Sequence, residues 1–309
     1  MKHYSVLKDE AIESLNLNDD SIVIDATLGY AGHSSEILKR IKRGMLFAFD
    51  QDQEAIQFSE EKLSSISNNF KIFHSNFERM EEYIEEPVDA ILFDLGVSSP
   101  QIDDTKRGFS FMRDEILDMR MDQTQEFHAR TIVNTYSEEE LTNIFFLYGE
   151  ERFSKNIARK ICSAREEKEI VTTQELVEII KNAVGANYFF KQHPERNIFQ
   201  AIRIEVNHEL DVIKVALESA INLLKPNGRI AVITFHSLED RLVKNIFKKY
   251  SSVDEMVKGL PEIPLMYQPK LKLITRKPII ASEEELKLNS RSRSAKLRVV
   301  ERVSYEKEN

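Results

Sequence analysis

Between residues 20 and 95 short apolar runs alternate with amphipathic stretches: SIVIDA, HSSEILKRI, MLFAFD, DQEAIQFSEEKLSSI, FKIFHS, a short polar helix and VDAILFDL. The runs are apolar on both faces and are separated by single helices, as a parallel sheet covered on both sides requires. The pattern predicts a doubly wound α/β core. From about Asp104 to Ile204 it changes: no stretch reads as a strand, while YSEEELTNIFFLYG, RFSKNIARKICSAREEK and TTQELVEIIKNAV read as amphipathic helices, the last two following or opening on Ser or Thr caps. HELDVIKVALESAINLLKPNG then predicts a long helix with a Pro and Gly stop, and GRIAVITF resumes the strand signal. A small helical domain, residues 105–204, is therefore expected inside a sheet domain made of residues 1–104 and 205–309. Further on, LEDRLVKNIFKKY predicts a helix, residues 261–269 a Pro-rich loop, and LKLIT and KLRVVERV two weaker strands with the basic stretch NSRSRSAK between them.

Composition narrows the class. The 309 residues are 41% hydrophobic and 31% charged, which suits a soluble globular protein large enough to be an enzyme. No run approaches the ~18 apolar residues of a membrane span, and MKHYSVLKDEAIESL lacks the uninterrupted apolar segment of a signal peptide, so a cytoplasmic protein without a membrane partner is expected. One cysteine, Cys162, excludes an internal disulfide and a zinc site built on several thiolates; its setting predicts a packed helix position. The formal charge of −9 argues against gripping nucleic acid over the whole surface and leaves room for a local basic face.

Residues 22–34, IVIDATLGYAGHS, carry an apolar run into Asp25, then Gly29, Gly32 and a possible helix cap at Ser34. Alone, this stretch fits a cofactor loop and a plain strand-to-helix turn equally. In a doubly wound sheet, however, ligands sit outside the carboxyl ends of the strands, and Asp25, Asp50, Phe77 and Asp94 all fall on that edge. Asp50 lies 25 positions after Asp25, close to the ~20-residue offset of an acid that bonds ribose hydroxyls. The loop is not G-x-G-x-x-G, because Thr27 stands where the first glycine belongs, which disfavours a pyrophosphate and an NAD-dependent oxidoreductase. A nucleoside with a cationic amino-acid tail, such as S-adenosylmethionine (AdoMet), fits better. Each acid alone could simply cap a loop; three aligned on one edge favour a ligand.

The motifs HYSVLKDEAI, IDATLGYAGHS, FDLGVSSPQIDDTKRGFSFMRDEILDMRMD, YGEER, RNIFQAIRIEVNHEL, FHSLEDR and SRSAKLR run along nearly the whole chain. In them the sequence resembles the bacterial MraW family, AdoMet-dependent methyltransferases that modify the N4 amine of a cytidine in the decoding region of 16S (small-subunit) ribosomal RNA. The resemblance implies a Rossmann-like methyltransferase sheet with an inserted helical domain, and S-adenosylhomocysteine as product. It implies a cofactor site from Ala31, Gly32 and His33 in the loop, Asp50 on the ribose, Phe77 against the adenine, and Asp94 and Gln101 near the methionine end, beside Asp25 and Gly29. Members often have two glycines before the histidine; here the first is Ala31, whose methyl group is expected to remove the freedom to adopt φ > 0.

A sulfonium is already a good leaving group, so the protein needs chiefly to align nucleophile, methyl carbon and sulfur, and no metal is required. Acceptors on the amine's N–H bonds help a weakly nucleophilic cytosine nitrogen. DLGVSSP, residues 94–100, looks like a loosened acid or polar, Pro, Pro, aromatic motif, so Asp94, Ser98 and Ser99 are expected to line the transfer site, the alternative for the serines being bonds to turn amides. His236, at the end of the fifth strand, is a further catalytic candidate. Carbon-5 methylation of cytosine needs a thiolate, and Cys162 lies in the helical region, which favours the exocyclic amine. RNA contacts are expected from Arg107 and Arg113, from Arg152, Lys155, Arg159 and Lys160, from Arg196 and Arg203, and from Arg291, Arg293, Lys296 and Arg298. Phe109 and Phe111 are candidates for stacking on an extruded base, with core packing the alternative. A patchily basic, acidic protein is expected to read a preformed surface of the small ribosomal subunit. A nonenzymatic ribosome-assembly factor is the competing reading.

Overall fold

The computed structural model describes residues 5–305 apart from Ser99, Pro100, Asp103 and Thr105. It divides into two compact units, Met1–Gly96 with Leu210–Asn309, and Val97–Glu209. The boundaries suggested by pattern, at 104/105 and 204/205, fall inside the second unit, because the strand signal fades some residues after the chain has left the sheet.

The first unit holds one seven-stranded sheet with the order β3-β2-β1-β4-β5-β7-β6. Its strands are β1 Ile22–Asp25, β2 Met45–Asp50, β3 Phe70–His74, β4 Val88–Asp94, β5 Leu224–Thr234, β6 Leu271–Leu273 and β7 Lys296–Arg302. The first five pair in parallel, and β7 runs antiparallel to both β5 and β6. Consecutive residues on a strand face opposite sides, and here both sides are buried. Val23, Ala48 and Leu92 pack into one apolar cluster with Ile37, Leu38 and Ile56. Their neighbours Ile24, Phe49 and Phe93 pack into another with Leu217, Val243 and Phe247. That is the doubly wound arrangement the two-sided apolar runs predict. The order reverses between β1 and β4, so the crevice at their carboxyl ends is the switch point.

The helices of this unit are α1 Lys8–Ser14, α2 Gly32–Arg40, α3 Gln53–Ser64 and α4 Met80–Tyr83. In the second unit come α5 Ala129–Thr135, α6 Glu138–Leu147, α7 Ser154–Glu167, α8 Thr173–Val184, α9 Ala186–Gln192 and α10 Pro194–Asn207. After α11, Glu209–Leu223, the first unit adds α12 Ser237–Tyr250 and α13 Glu283–Leu288. The second unit is helical, with a single isolated bridge between Ile116 and Thr172 among its described residues, and has its own core around Phe145, Ile157, Leu176 and Ile202. No helix among the described residues is long and apolar enough to cross a membrane.

Local details depart from the pattern reading. Ser137 and Thr172 close capping boxes on α6 and α8, whereas α7 starts after Phe153 with no side-chain cap, its Ser154 hydroxyl donating to the Glu151 carbonyl. Strand β5 begins at Leu224, ahead of Pro226 and Gly228, and tolerates them through a register shift opposite Val88 and Ala90 of β4. Gly44 carries the chain into β2 directly over the backbone that enters β1: a Cβ there would stand 2.0 Å from the Ser21 carbonyl oxygen. Gly44→Ala is therefore expected to destabilise the protein by about 1–3 kcal/mol through overpacking against an atom that cannot move aside. Urea unfolding checks this, and an unchanged midpoint would contradict the packing described.

Candidate active site

Three strands end on an acid at the switch-point edge: Asp25 on β1, Asp50 on β2 and Asp94 on β4. The turn from β1 to α2 threads between them by bonding each. Asp25 is 1% exposed; it accepts from the Thr27 N–H at 3.1 Å and from the Ser34 hydroxyl at 2.6 Å. Asp50 accepts from the Gly29 and Asp52 N–H groups, both at 2.8 Å. The Asp94 N–H donates to the Thr27 hydroxyl at 2.6 Å. Ser34 is thus no helix cap: the cap position is Ala31, and Ser34 sits in the first turn holding Asp25. Ala31 also departs from expectation, adopting φ 53° despite its methyl group. The cost of that conformation is of order 1 kcal/mol, and the packing around a fully buried Ala31 holds it there.

The three carboxyls are poorly compensated. Burial raises the pKa of Asp25, opposed by the Ser34 and Thr27 bonds. Burial pushes Asp50 up to about 6, backbone N–H bonds notwithstanding. Asp94 is held well above the usual carboxylate range, first by burial and then by the charges of Asp25 and Glu239. Its Oδ1 is buried and has no hydrogen-bond partner among the described residues. Its Oδ2 lies 3.5 Å from Nδ1 of His33, a residue only 5% exposed. Nε2 of that ring is 3.1 Å from the Val6 carbonyl, which can only accept, so Nε2 carries the hydrogen and Nδ1 is left facing Asp94.

His236 caps α12. Its Nδ1 accepts from the Glu239 N–H at 3.4 Å, and its Nε2 lies 3.1 Å from Glu239 Oε1. Glu239, fully buried, returns bonds to the Phe235 and His236 N–H groups. His236 thus serves the cap through Nδ1, while its Nε2 is buried without a hydrogen-bond partner among the described residues. The H-x-x-E spacing of a capping box was the available signal for Glu239.

The loop's outer side rests on α3, where the Ser59 hydroxyl donates to the Gly29 carbonyl and the Lys62 ammonium to the Tyr30 carbonyl. Both were missed by motif reading, which stops at the loop. Phe77 meets Phe93 edge-on at 5.7 Å and packs on the core. In the second unit Ser98 and Gln101 bond each other, the Ser98 N–H donating to Gln101 Oε1 and the Gln101 N–H to the Ser98 hydroxyl. The hydroxyl of Ser98 therefore serves a turn amide; Ser99 lies outside the described residues.

The basic candidates separate cleanly. Arg107 is buried, its guanidinium donating to the Arg120 and Met121 carbonyls. Arg203 forms a two-bond pair with Glu209, and Arg298 and Lys296 both bind Asp240. These four are structural cations rather than an RNA surface. Arg113, Arg152, Lys155, Arg159, Lys160, Arg196, Arg291 and Arg293 are exposed. Phe109 and Phe111 are half-buried against the core of the second unit, Phe111 edge-on to Phe199 at 5.7 Å, which favours the packing alternative.

An acid whose folded pKa is raised contributes stability below its unfolded pKa and loses it as the pH rises through the folded value. Asp94→Asn is accordingly expected to raise the melting temperature of the unliganded protein by a few degrees at pH 8, and by less at pH 4. A lower melting temperature at pH 8 would contradict the account of an uncompensated carboxyl.

Comparison with known proteins fits this geometry. Residues 1–303 match the MraW methylase family. The chain is 53% identical over 309 residues to a ribosomal RNA small subunit methyltransferase H of Oceanobacillus iheyensis, covering 98% of this chain and 95% of that one. It is 52% identical over 307 residues to the protein of the same name from Exiguobacterium sibiricum, covering 98% of each. Among solved structures, an rRNA methylase from Streptococcus thermophilus aligns with a TM-score of 0.42 and 14% identity over 96% of this chain and 94% of that one. On the family match and the two relatives, the chain belongs to the MraW methylase family, whose cofactor is S-adenosylmethionine.

Proposed function

We propose that the protein transfers a methyl group from AdoMet to the exocyclic N4 amine of a cytidine in the decoding region of small-subunit ribosomal RNA. The observation that carries the cofactor part is the buried acidic edge: Asp94 Oδ1 has no partner among the described residues, while Asp25 and Glu239 keep the surroundings negative. Such a site suits a ligand with a cationic amino-acid tail and repels a pyrophosphate. When bound, AdoMet supplies an electrophilic methyl group on a sulfonium.

This chain's residues then have distinct tasks. Asp94 receives the cationic methionine end, and Asp50, its carboxylate already oriented by two backbone N–H groups, takes the ribose hydroxyls. Gly29, Ala31, Gly32 and His33 shape the loop, and Phe77 borders the adenine. Asp94 also faces the transfer site as an acceptor for the amine's N–H bonds, drawing the nitrogen toward pyramidal geometry and taking up its proton after transfer. The N4 assignment is supported by Cys162, which packs against the helical core with its thiol pushed up by burial, unsuited to attack on a ring carbon. The substrate assignment is supported by the names of the two relatives. The exposed cations Arg113, Arg152, Lys155, Arg159, Arg196, Arg291 and Arg293 are the proposed phosphate contacts.

The test is incubation with labelled AdoMet and small ribosomal subunits lacking the modification, with naked rRNA alongside, followed by nucleoside mass spectrometry. N4-methylcytidine in the subunit sample is expected; a label on another base or atom, or none while AdoMet binds, would overturn the reading. Asp94→Asn is expected to lower turnover at least about a hundredfold, and full turnover with unchanged AdoMet affinity would remove Asp94 from the site.

A further inference from the structure

Three residues near the start of the described chain lie over the cofactor loop. A Cβ on Gly32 would stand 1.8 Å from the Ser5 hydroxyl oxygen, so Ser5 sits where any larger residue at 32 would be. Val6 presents its carbonyl to His33 Nε2. Leu7 is fully buried and left-handed, at φ 50°. A β-carbon-bearing residue holds that conformation only where its surroundings compel it. The compelling contact comes from the far end of the chain: the Leu7 N–H donates to Glu285 Oε1 at 2.8 Å, across 278 positions. The same oxygen accepts from the Ser292 hydroxyl at 2.6 Å, and Ser292 stands between the exposed cations Arg291 and Arg293. Glu285 itself is fixed in the first turn of α13, its N–H donating to the Ser282 hydroxyl.

We propose that Glu285 is a positioning residue for the methyl-transfer site: it pins Ser5–Leu7 as a strap across the cofactor loop, and the strap holds His33 in the tautomer whose Nδ1 faces Asp94. The assignment rests on the reading of Asp94 given under the proposed function. A carbonyl accepts and cannot donate, so Val6 selects the Nε2–H form of the ring. Nδ1, 3.5 Å from Asp94 Oδ2, then faces the carboxyl as a proton acceptor. Asp25 on β1 and Glu239 on α12 are the other charged groups facing Asp94, and both are acids. His33 thus sets a base beside Asp94 against these two acids. Released from Val6, the ring could carry its hydrogen on Nδ1, where it can donate to Asp94 but no longer accept a proton from it, or turn away and lose the contact altogether. Because Glu285 also holds Ser292, the turn bearing Arg291 and Arg293 is tied to the same pin as the cofactor loop.

The experiment compares the unliganded wild type, Glu285→Ala and Glu285→Gln by ring-nitrogen NMR of histidine-labelled protein, and then by calorimetric titration with AdoMet. In the wild type the neutral His33 ring is expected to be wholly the Nε2–H tautomer. Glu285→Gln keeps an acceptor for the Leu7 N–H and is expected to retain that signal and the affinity. Glu285→Ala is expected to give a tautomer mixture and AdoMet binding weakened roughly tenfold, about the effect of one lost hydrogen bond. A drop in melting temperature with the tautomer and affinity unchanged would show a merely structural role and overturn the proposal. So would a wild-type His33 with its hydrogen on Nδ1, whatever becomes of the variants. Failure of the wild type to bind AdoMet, with the tautomer as expected, would strike instead at the cofactor reading.

Discussion

Uncompensated negative charge at the carboxyl edge of the sheet is the constraint around which the first unit is arranged. Asp25 is buried and Asp50 and Asp94 are half-buried at the ends of three neighbouring strands, and the groups that meet them are hydroxyls, backbone N–H groups and a histidine rather than Lys or Arg. Desolvation of a carboxylate without a cation is unfavourable. The edge tolerates it because the rest of the unit is dominated by apolar burial on both sheet faces. The loop from β1 to α2 owes its path to the same acids: each of its turns bonds one of them, and α3 props the outer side through Ser59 and Lys62. On the proposed function, stability is given up where a cationic ligand would return it.

The contrast with the other charges follows the same logic. Where the protein wants a rigid joint it pairs an acid with a base, as in Arg203 with Glu209 and Arg298 with Asp240. The exposed cations on α7 and on the turn around Ser292 lie on the solvent side, where they cost nothing to keep and can meet phosphates. On the proposed function, an acidic edge for the cofactor and basic faces for the nucleic acid would let one chain of net charge −9 handle ligands of opposite sign.

The sheet was legible because its strands are apolar on both faces, a signal set by nearest neighbours along the chain, and the strand-end acids followed from it. In the second unit α6, α7 and α8 were legible for the same reason, although the Ser and Thr capping boxes fall on α6 and α8 rather than on α7 and α8, and α5, α9 and α10 were not read. What could not be read was set by tertiary contact. Ala31 takes a glycine-like backbone because its neighbours compel it, not because its side chain allows it. Arg107, Phe109 and Phe111 look like a nucleic-acid surface in the sequence, yet Arg107 is buried on backbone carbonyls and the two rings pack half-buried against a core. Glu285 and Leu7 meet across almost the entire chain, a distance at which periodicity carries no information.

The central claim is that burial without a cationic partner holds Asp50 and Asp94 above the ordinary carboxylate range until a cationic ligand binds. Calorimetric titration with AdoMet near pH 6, in buffers of different ionisation enthalpy, tests it directly. A cation favours the ionised carboxylate, so binding should lower the pKa of Asp94 and, through the ribose bonds, that of Asp50 from its value of about 6. The account predicts net proton release at pH 6 that fades as the pH rises through the folded pKa values of these acids. Proton uptake, or a binding enthalpy that does not depend on the buffer, would contradict it.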